Sequence, residues 1–226
     1  PLSEKQLWSV GDGRLYDTEI TLCDGDTVLD AVCSYFGLRE VGLTKKAFLL
    51  NGETVYGRWV LDQGFYPDGI YTAPSDEALK NDIVYSMQLG FNGARLHEKI
   101  FEPRFLYWAD RLGYLTWGEY PNWGLALDSC DYIDCMLPEW LEELERDASH
   151  PSIIGWCPFN ETWNYRHNSV VKLVYLATKA ADPTRPVIDT SGNYHTITDI
   201  FDVHDYEQDP EKFASCYTDI KSGIIR

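Results

Sequence analysis

Apolar residues fall in short blocks along this chain, and from residue 54 onward the blocks alternate with stretches of helical period. Thr54 to Leu61, Phe91 to His97, Tyr114 to Gly118, Ile153 to Phe159, Val187 to Thr190 and Phe201 to Tyr206 read as strands. Ile153 to Phe159 is the kind of apolar run that makes a strand covered on both faces. Between the blocks lie helix signals. Ser75 is placed as an N-cap before Asp76 and Glu77; Leu79, Ile83 and Met87 then share one face, and Gly90 closes the helix. Pro103 opens a second helix as its first residue, and Gly113 ends it. Pro138 opens a third, carrying Trp140, Leu141 and Leu144 up to Pro151, which cannot continue it. Asn168 begins a fourth, with Val170, Val174, Ala177 and Ala181 on one face, stopped by Pro183 and Pro186. Strand then helix, repeated, predicts an α/β fold with a parallel sheet.

Residues 1–43 carry a different pattern. Leu15 to Leu22 and Val28 to Phe36 read as two strands about an Asp24-Gly25-Asp26 turn, and so few strands complete no core. Phe48 to Leu50 then enters an Asn51-Gly52 hairpin turn.

The predicted strands of the second region end in polar residues. Asp62, Arg95 with His97, Glu119, Asn160 with Glu161, and Tyr206 all stand at such ends. Buried strand ends with charges and amides are costly unless they open into a site. Trp163, just beyond Glu161, offers a flat face of the kind sugar rings pack on. Several have a plainer reading beside the functional one: a salt bridge for Glu161, a turn for Asp62, a capping or surface residue for His97. For His204, structural packing is the favoured reading.

A net charge of −17 argues against nucleic acid or an anionic membrane as partner. No run is long enough to span a membrane and no leader pattern is present; Pro1 is not a natural start. A cytoplasmic location is expected, or a periplasmic or secreted one if a leader has been removed. The six cysteines show no C-x-x-C spacing, so buried free thiols in a reducing compartment are expected. Cys130 and Cys135 lack a second Cys/His pair to complete a metal site. No Gly-rich phosphate loop follows the first strand, which argues against a nicotinamide or flavin α/β protein, and no cofactor is expected.

One stretch goes further. His150-Pro151-Ser152-Ile153-Ile154-Gly155-Trp156, with Asp147 before it and Asn160-Glu161 after it, closely resembles the acid/base segment of glycoside hydrolase family two. Phe91-Asn92-x-x-Arg95, and upstream Leu7-Trp8-Ser9, Leu15-Tyr16 and Phe36-Gly37-Leu38-Arg39, extend the likeness. That family contains the β-galactosidases, β-glucuronidases and β-mannosidases. The resemblance implies a (β/α)8 TIM barrel over 44–226, truncated after strand six, preceded over 1–43 by the last strands of an immunoglobulin-like β-sandwich. It implies that Glu161 is the proton donor and that Asn160 holds the substrate 2-hydroxyl. It also places Arg95, which contacts the nucleophile in the family, His97 and Glu119 in the sugar site, and makes Tyr206 a partner of the nucleophile.

Two departures stand out. Asp62-Gln63-Gly64 occupies a position where many members carry a His, and Asp62 is expected to bind sugar hydroxyls in its place. Pro121 stands where some members carry the His that helps the strand-three acid hold magnesium, so no metal is expected.

The resulting expectation is a retaining exo-β-glycosidase working by double displacement on a terminal β-linked sugar, with Asp62, Arg95, Glu119, Glu161 and Tyr206 converging at one rim. No nucleophile segment is recognised before Arg226, so the alternative is a non-catalytic carbohydrate-binding or structural fragment, inactive as this chain. Open sheet edges make a second copy of the chain an expected partner beside the carbohydrate. In the full-length protein, Glu119 and the nucleophile are expected to lie close by and to raise the Glu161 pKa by like charge, keeping that acid protonated.

Overall fold

The computed structural model describes residues 2, 4–127, 131–162, 168–192 and 194–219. The strands form three sheets. In the first, β1 (Tyr16–Asp24) and β2 (Thr27–Phe36) make an antiparallel ribbon. In the second, β3 (Val41–Leu43), β4 (Phe48–Leu50) and β5 (Glu53–Val55) form an antiparallel meander, which straddles residue 43. Asn51, at φ 55°, and Gly52, at φ 82°, supply the left-handed turn between β4 and β5.

Thr54 to Leu61 is not the single strand expected. The chain leaves the meander after Val55 and starts a new strand, β6 (Trp59–Asp62). Gly57 lies between them against the Trp59 indole, where an added Cβ would sit 2.8 Å from the ring. From β6 the chain alternates: α1 (Asp76–Gln88), β7 (Gly93–Leu96), α2 (Pro103–Leu112), β8 (Leu115–Glu119), α3 (Ile133–Asp147), β9 (Ile153–Cys157), α4 (Asn168–Ala181) and α5 (Pro210–Cys216). The third sheet runs β6-β7-β8-β9, parallel throughout.

The helix starts follow their signals. The Ser75 side chain accepts from Ala78 N, Pro103 takes the first turn of α2, and Gly113 caps that helix at φ 69°. Pro138 departs from expectation by lying inside α3 rather than opening it. It forfeits one helical hydrogen bond, but the turn before it is held by buried Met136 and by Tyr132. Asp209 caps α5, which the strand–helix pattern did not suggest.

The last two expected strands are also corrected. Residues 186–191 meet β9 and the segment after it only through isolated bridges, Trp156 with Val187 and Asn160 with Ser191. Pro158 has no N–H to donate between them, so no continuous ladder forms. Residues 201–206 form no ladder among the described residues; Asp202 and His204 reach residues 191–195 through side-chain bonds instead.

β8 and β9 are buried along their whole length and are fitted to each other by glycine. An added Cβ at Gly155 would lie 2.3 Å from the Trp117 ring, and one at Gly118 would lie 2.5 Å from the Trp156 ring. At the opposite end from the polar strand tips, Asp110 accepts from Tyr35 OH, His150 Nδ1 and Ser152 N, and the Trp8 indole donates to its carbonyl. Arg39 donates to the carbonyls of Pro151 and Ile153. These bonds tie the N-terminal segment to the base of the parallel sheet. Buried free thiols were expected, yet of the described cysteines only Cys157 is buried, while Cys23, Cys33 and Cys135 are exposed.

Candidate active site

The parallel strands deliver their polar tips to one place. Arg95, on β7, forks onto Glu119 at the end of β8, with Nε 2.6 Å from Oε2 and Nη2 3.0 Å from Oε1. The same Nη2 donates to Asn160 Oδ1 at 2.6 Å, and Nη1 lies 3.2 Å from His204 Nε2. One guanidinium thus joins β7, the end of β8 and the segment after β9 to the segment at 204. Glu119 is fully buried, and a buried carboxylate survives as an anion only with such partners. Burial pushes its pKa up to about 7 while Arg95 and the Glu98 N–H pull it down.

Asn160 is also held from behind: its N–H donates to Asn122 Oδ1 at 2.6 Å, and Asn122 Nδ2 donates to its carbonyl at 3.3 Å. The fixed backbone, with Oδ1 turned to Arg95, leaves the Asn160 Nδ2 donor buried without a hydrogen-bond partner. Glu161 follows at φ 52°, a left-handed backbone that a non-glycine residue adopts at a cost of order 1–3 kcal/mol, usually where function holds it. Its N–H is pinned to the Ser191 carbonyl at 2.8 Å.

The Glu161 carboxyl is held by one oxygen. Oε1 accepts from Tyr206 OH at 2.5 Å and from His204 Nδ1 at 2.6 Å. Burial alone would raise this carboxyl, but those two donors, with Arg95 nearby, outweigh it and hold the group below its ordinary value. The upward shift expected from Glu119 is therefore corrected for this chain; the nucleophile, the other charge expected to raise it, is at no described residue. Arg95 faces the Glu119 charge that was to repel Glu161, and the neighbours that touch Glu161 are hydrogen-bond donors. His204, expected to be packing, instead bonds Glu161 and lies against Arg95 and Ser191 Oγ. Ser191 leads on to Asp202, which with Asp189 brackets His195 and raises it to about 10 against the effect of burial.

His97 is buried beside this centre, with Nδ1 3.7 Å from Glu119 Oε1. Burial first and then Arg95 lower its pKa to about 4, so the ring is neutral. Asp62 turns away from the cluster's bonds: its carboxylate accepts from Gly64 N in its own turn. Tyr206 stands at the exposed rim. Trp163 lies outside the described residues. Asn122, Glu98 and Ser191 were not singled out in the sequence, since neither spacing nor residue type marks a polar side chain in a loop. His97, Glu98 and Glu119 each bring a possible metal ligand atom within 4.8 Å of the others.

A parallel strand–helix unit whose strand C-termini gather an Arg–Glu pair, an amide and a donor-held carboxylate defines a barrel-type α/β domain with an acidic site. Residues 41–222 match the family description "Glycosyl hydrolases family 2, TIM barrel domain", and residues 1–39 match "Glycosyl hydrolases family 2". The chain belongs to glycosyl hydrolase family 2.

Its relatives include a β-galactosidase of Psychromonas ingrahamii, 31% identical over 203 residues, which cover 85% of this chain and 19% of that protein. Among solved structures, a β-glucuronidase of Ruminococcus gnavus in complex with D-glucuronic acid is 26% identical, with a TM-score of 0.73 over 81% of this chain and 32% of that one. The β-D-glucuronidase of Dictyoglomus thermophilum shares the fold at a TM-score of 0.77 and 23% identity, over 86% of this chain and 36% of that one. The chain spans about a fifth of the length of the curated relatives it matches.

Proposed function

We propose that this chain carries the acid/base half of a retaining exo-β-glycosidase that removes a terminal β-linked sugar, with Glu161 as general acid and then general base. The observation that carries this reading is the Glu161 carboxyl itself. Tyr206 and His204 anchor one oxygen, the backbone is held in a costly conformation, and the orphaned Nδ2 donor of Asn160 stands next to it in the chain. A general acid needs a fixed orientation and one free oxygen; the donors on Oε1 favour the carboxylate in this chain, and the negative charge of the second carboxylate that the reaction requires raises the pKa so that Glu161 carries its proton into the first step. In the first step Glu161 protonates the departing glycosidic oxygen as a second carboxylate attacks the anomeric carbon. In the second step the Glu161 carboxylate takes a proton from the attacking water.

Asn160 Nδ2 is the donor suited to a substrate hydroxyl, because any ligand that fills the site relieves its missing bond. Arg95 orients both Asn160 and, through His204, the acid. Glu119 is committed to Arg95 and acts on the substrate only through it. The nucleophile, which belongs about 5–5.5 Å from the acid/base carboxyl, is assigned to no described residue.

The test is Glu161→Gln in the intact protein. Turnover of a glycoside with a poor leaving group is expected to fall by about 10²–10⁴-fold, and formation of the glycosyl intermediate from an activated aryl glycoside much less. Equal losses on both substrates would refute the assignment.

A further inference from the structure

Glu98 follows His97 at the end of β7 and takes no part in the mechanism above. Its backbone is left-handed, at φ 54°, and its N–H is bonded to Glu119 Oε1 at 3.1 Å. Its Oε2 accepts from Trp123 N at 2.9 Å. Oε1 is buried and has no hydrogen-bond partner, and neither has Nδ1 of His97, a residue only 5% exposed. Adjacent buried polar atoms without partners are rare in folded proteins and point to a bound group.

Two occupants suit such a place, a divalent cation or a hydroxyl. A cation would draw on Glu119 Oε1 as its third ligand, but that oxygen already accepts from Arg95 Nη2 and Glu98 N. The cation would have to displace both donors and lie against a guanidinium. The remaining pair is complementary in kind. A neutral imidazole can present an N–H at Nδ1, and a carboxylate oxygen only accepts. A hydroxyl both accepts and donates. A ring nitrogen of His97 and a carboxylate oxygen of Glu98 lie within 4.8 Å of each other, a separation that one hydroxyl oxygen about 2.8 Å from each of two partners spans.

We propose that His97 Nδ1 and Glu98 Oε1 together hold one hydroxyl of the bound sugar, which makes Glu98 a specificity-determining residue. This rests on the glycosidase reading. Trp123, 60% exposed and with its ring 5.6 Å from that of His97, borders the same place and is fixed to Glu98 through its N–H.

The test is calorimetric binding of phenyl thio-β-galactoside, phenyl thio-β-glucuronide and the monodeoxy analogues of whichever binds more tightly. The proteins are the intact wild type and Glu98→Gln. In the variant the amide oxygen is expected to stay on the Trp123 N–H, so that an NH2 replaces the accepting Oε1. Parent-sugar affinity should fall about 10- to 100-fold, the worth of a hydrogen bond to a charged group. One deoxy analogue should bind wild type equally weakly and lose nothing further in the variant. That coupling also separates a lost contact from a damaged fold, which would weaken every analogue. Unchanged affinity in the variant, or a loss shared by all analogues, overturns the Glu98 assignment alone. Saturable Mn²⁺ binding that disappears in the variant overturns it in favour of a cation. Binding of neither thioglycoside overturns the carbohydrate reading and this one with it.

Discussion

Arg95→Leu is the substitution with the largest consequence that the structure predicts outside the acid itself. The side chain makes two charge-assisted bonds to Glu119, at 2.6 and 3.0 Å, and one to Asn160 Oδ1 at 2.6 Å. Glu119 is 0% exposed, so removing Arg95 strands a carboxylate where water cannot reach it. Breaking a buried pair from one side costs about 3–5 kcal/mol. A domain stable by about 5–15 kcal/mol would keep its fold on a much reduced margin. The sign of the pH dependence follows. Without the guanidinium, the Glu119 pKa in the folded state rises further above its unfolded value of about 4.3, and the native state binds the extra proton. Stability contributed by that proton is complete below the unfolded value and is lost as pH rises through the folded one. The variant's penalty should therefore be smaller near pH 5 than near pH 8. Urea unfolding at both pH values measures this, and Arg95→Leu with Glu119→Leu should recover most of the loss, since an apolar pair strands no charge. A loss below about 1 kcal/mol at both pH values, or a double variant no better than the single, would refute the reasoning.

Tyr206→Phe removes one of the two donors on Glu161 Oε1 and should raise the Glu161 pKa toward its ordinary value. The basic limb of the pH profile of kcat/KM would move up by the same amount, and ¹³C carboxyl titration checks the shift directly. Gly155→Ala forces a methyl into the Trp117 ring and should cost at least about 1–3 kcal/mol in chemical denaturation. The β1–β2 ribbon exposes Ile20, Leu22, Val28, Leu29 and Val32, so sedimentation of this chain alone is expected to show self-association rather than a compact monomer.

The parts of this fold written locally are the parts legible in the sequence. Ser75, Pro103 and Gly113 act within a turn of themselves and mark helix ends wherever they fall. The buried run at 153–157 reads as a strand because it is apolar and covered along its whole length. Pro138 misleads because its cost is borne by the packing of Met136, which is tertiary. The stretch at 186–191 looks like a strand by composition, yet the missing N–H of Pro158 interrupts its ladder from the partner's side. Glu161, Asn160 and Arg95 could be singled out because they end apolar strands. The roles of His204, Asn122 and Glu98 depend on what stands across the site from them, and one strand's sequence does not carry that. The direction of the Glu161 shift was hidden for the same reason: it is set by donors 43 and 45 positions away.

The central claim, that Glu161 is the acid/base residue of a retaining β-glycosidase, meets its most direct test in Glu161→Ala of the intact protein. With an activated aryl β-glycoside the first step needs no proton, so the glycosyl intermediate should accumulate and turnover should stall at the water step. Azide needs no general base, so adding it should restore turnover and yield the β-glycosyl azide, with the substrate's configuration retained. Turnover that azide leaves unchanged, or an α-configured azide product, would contradict the account.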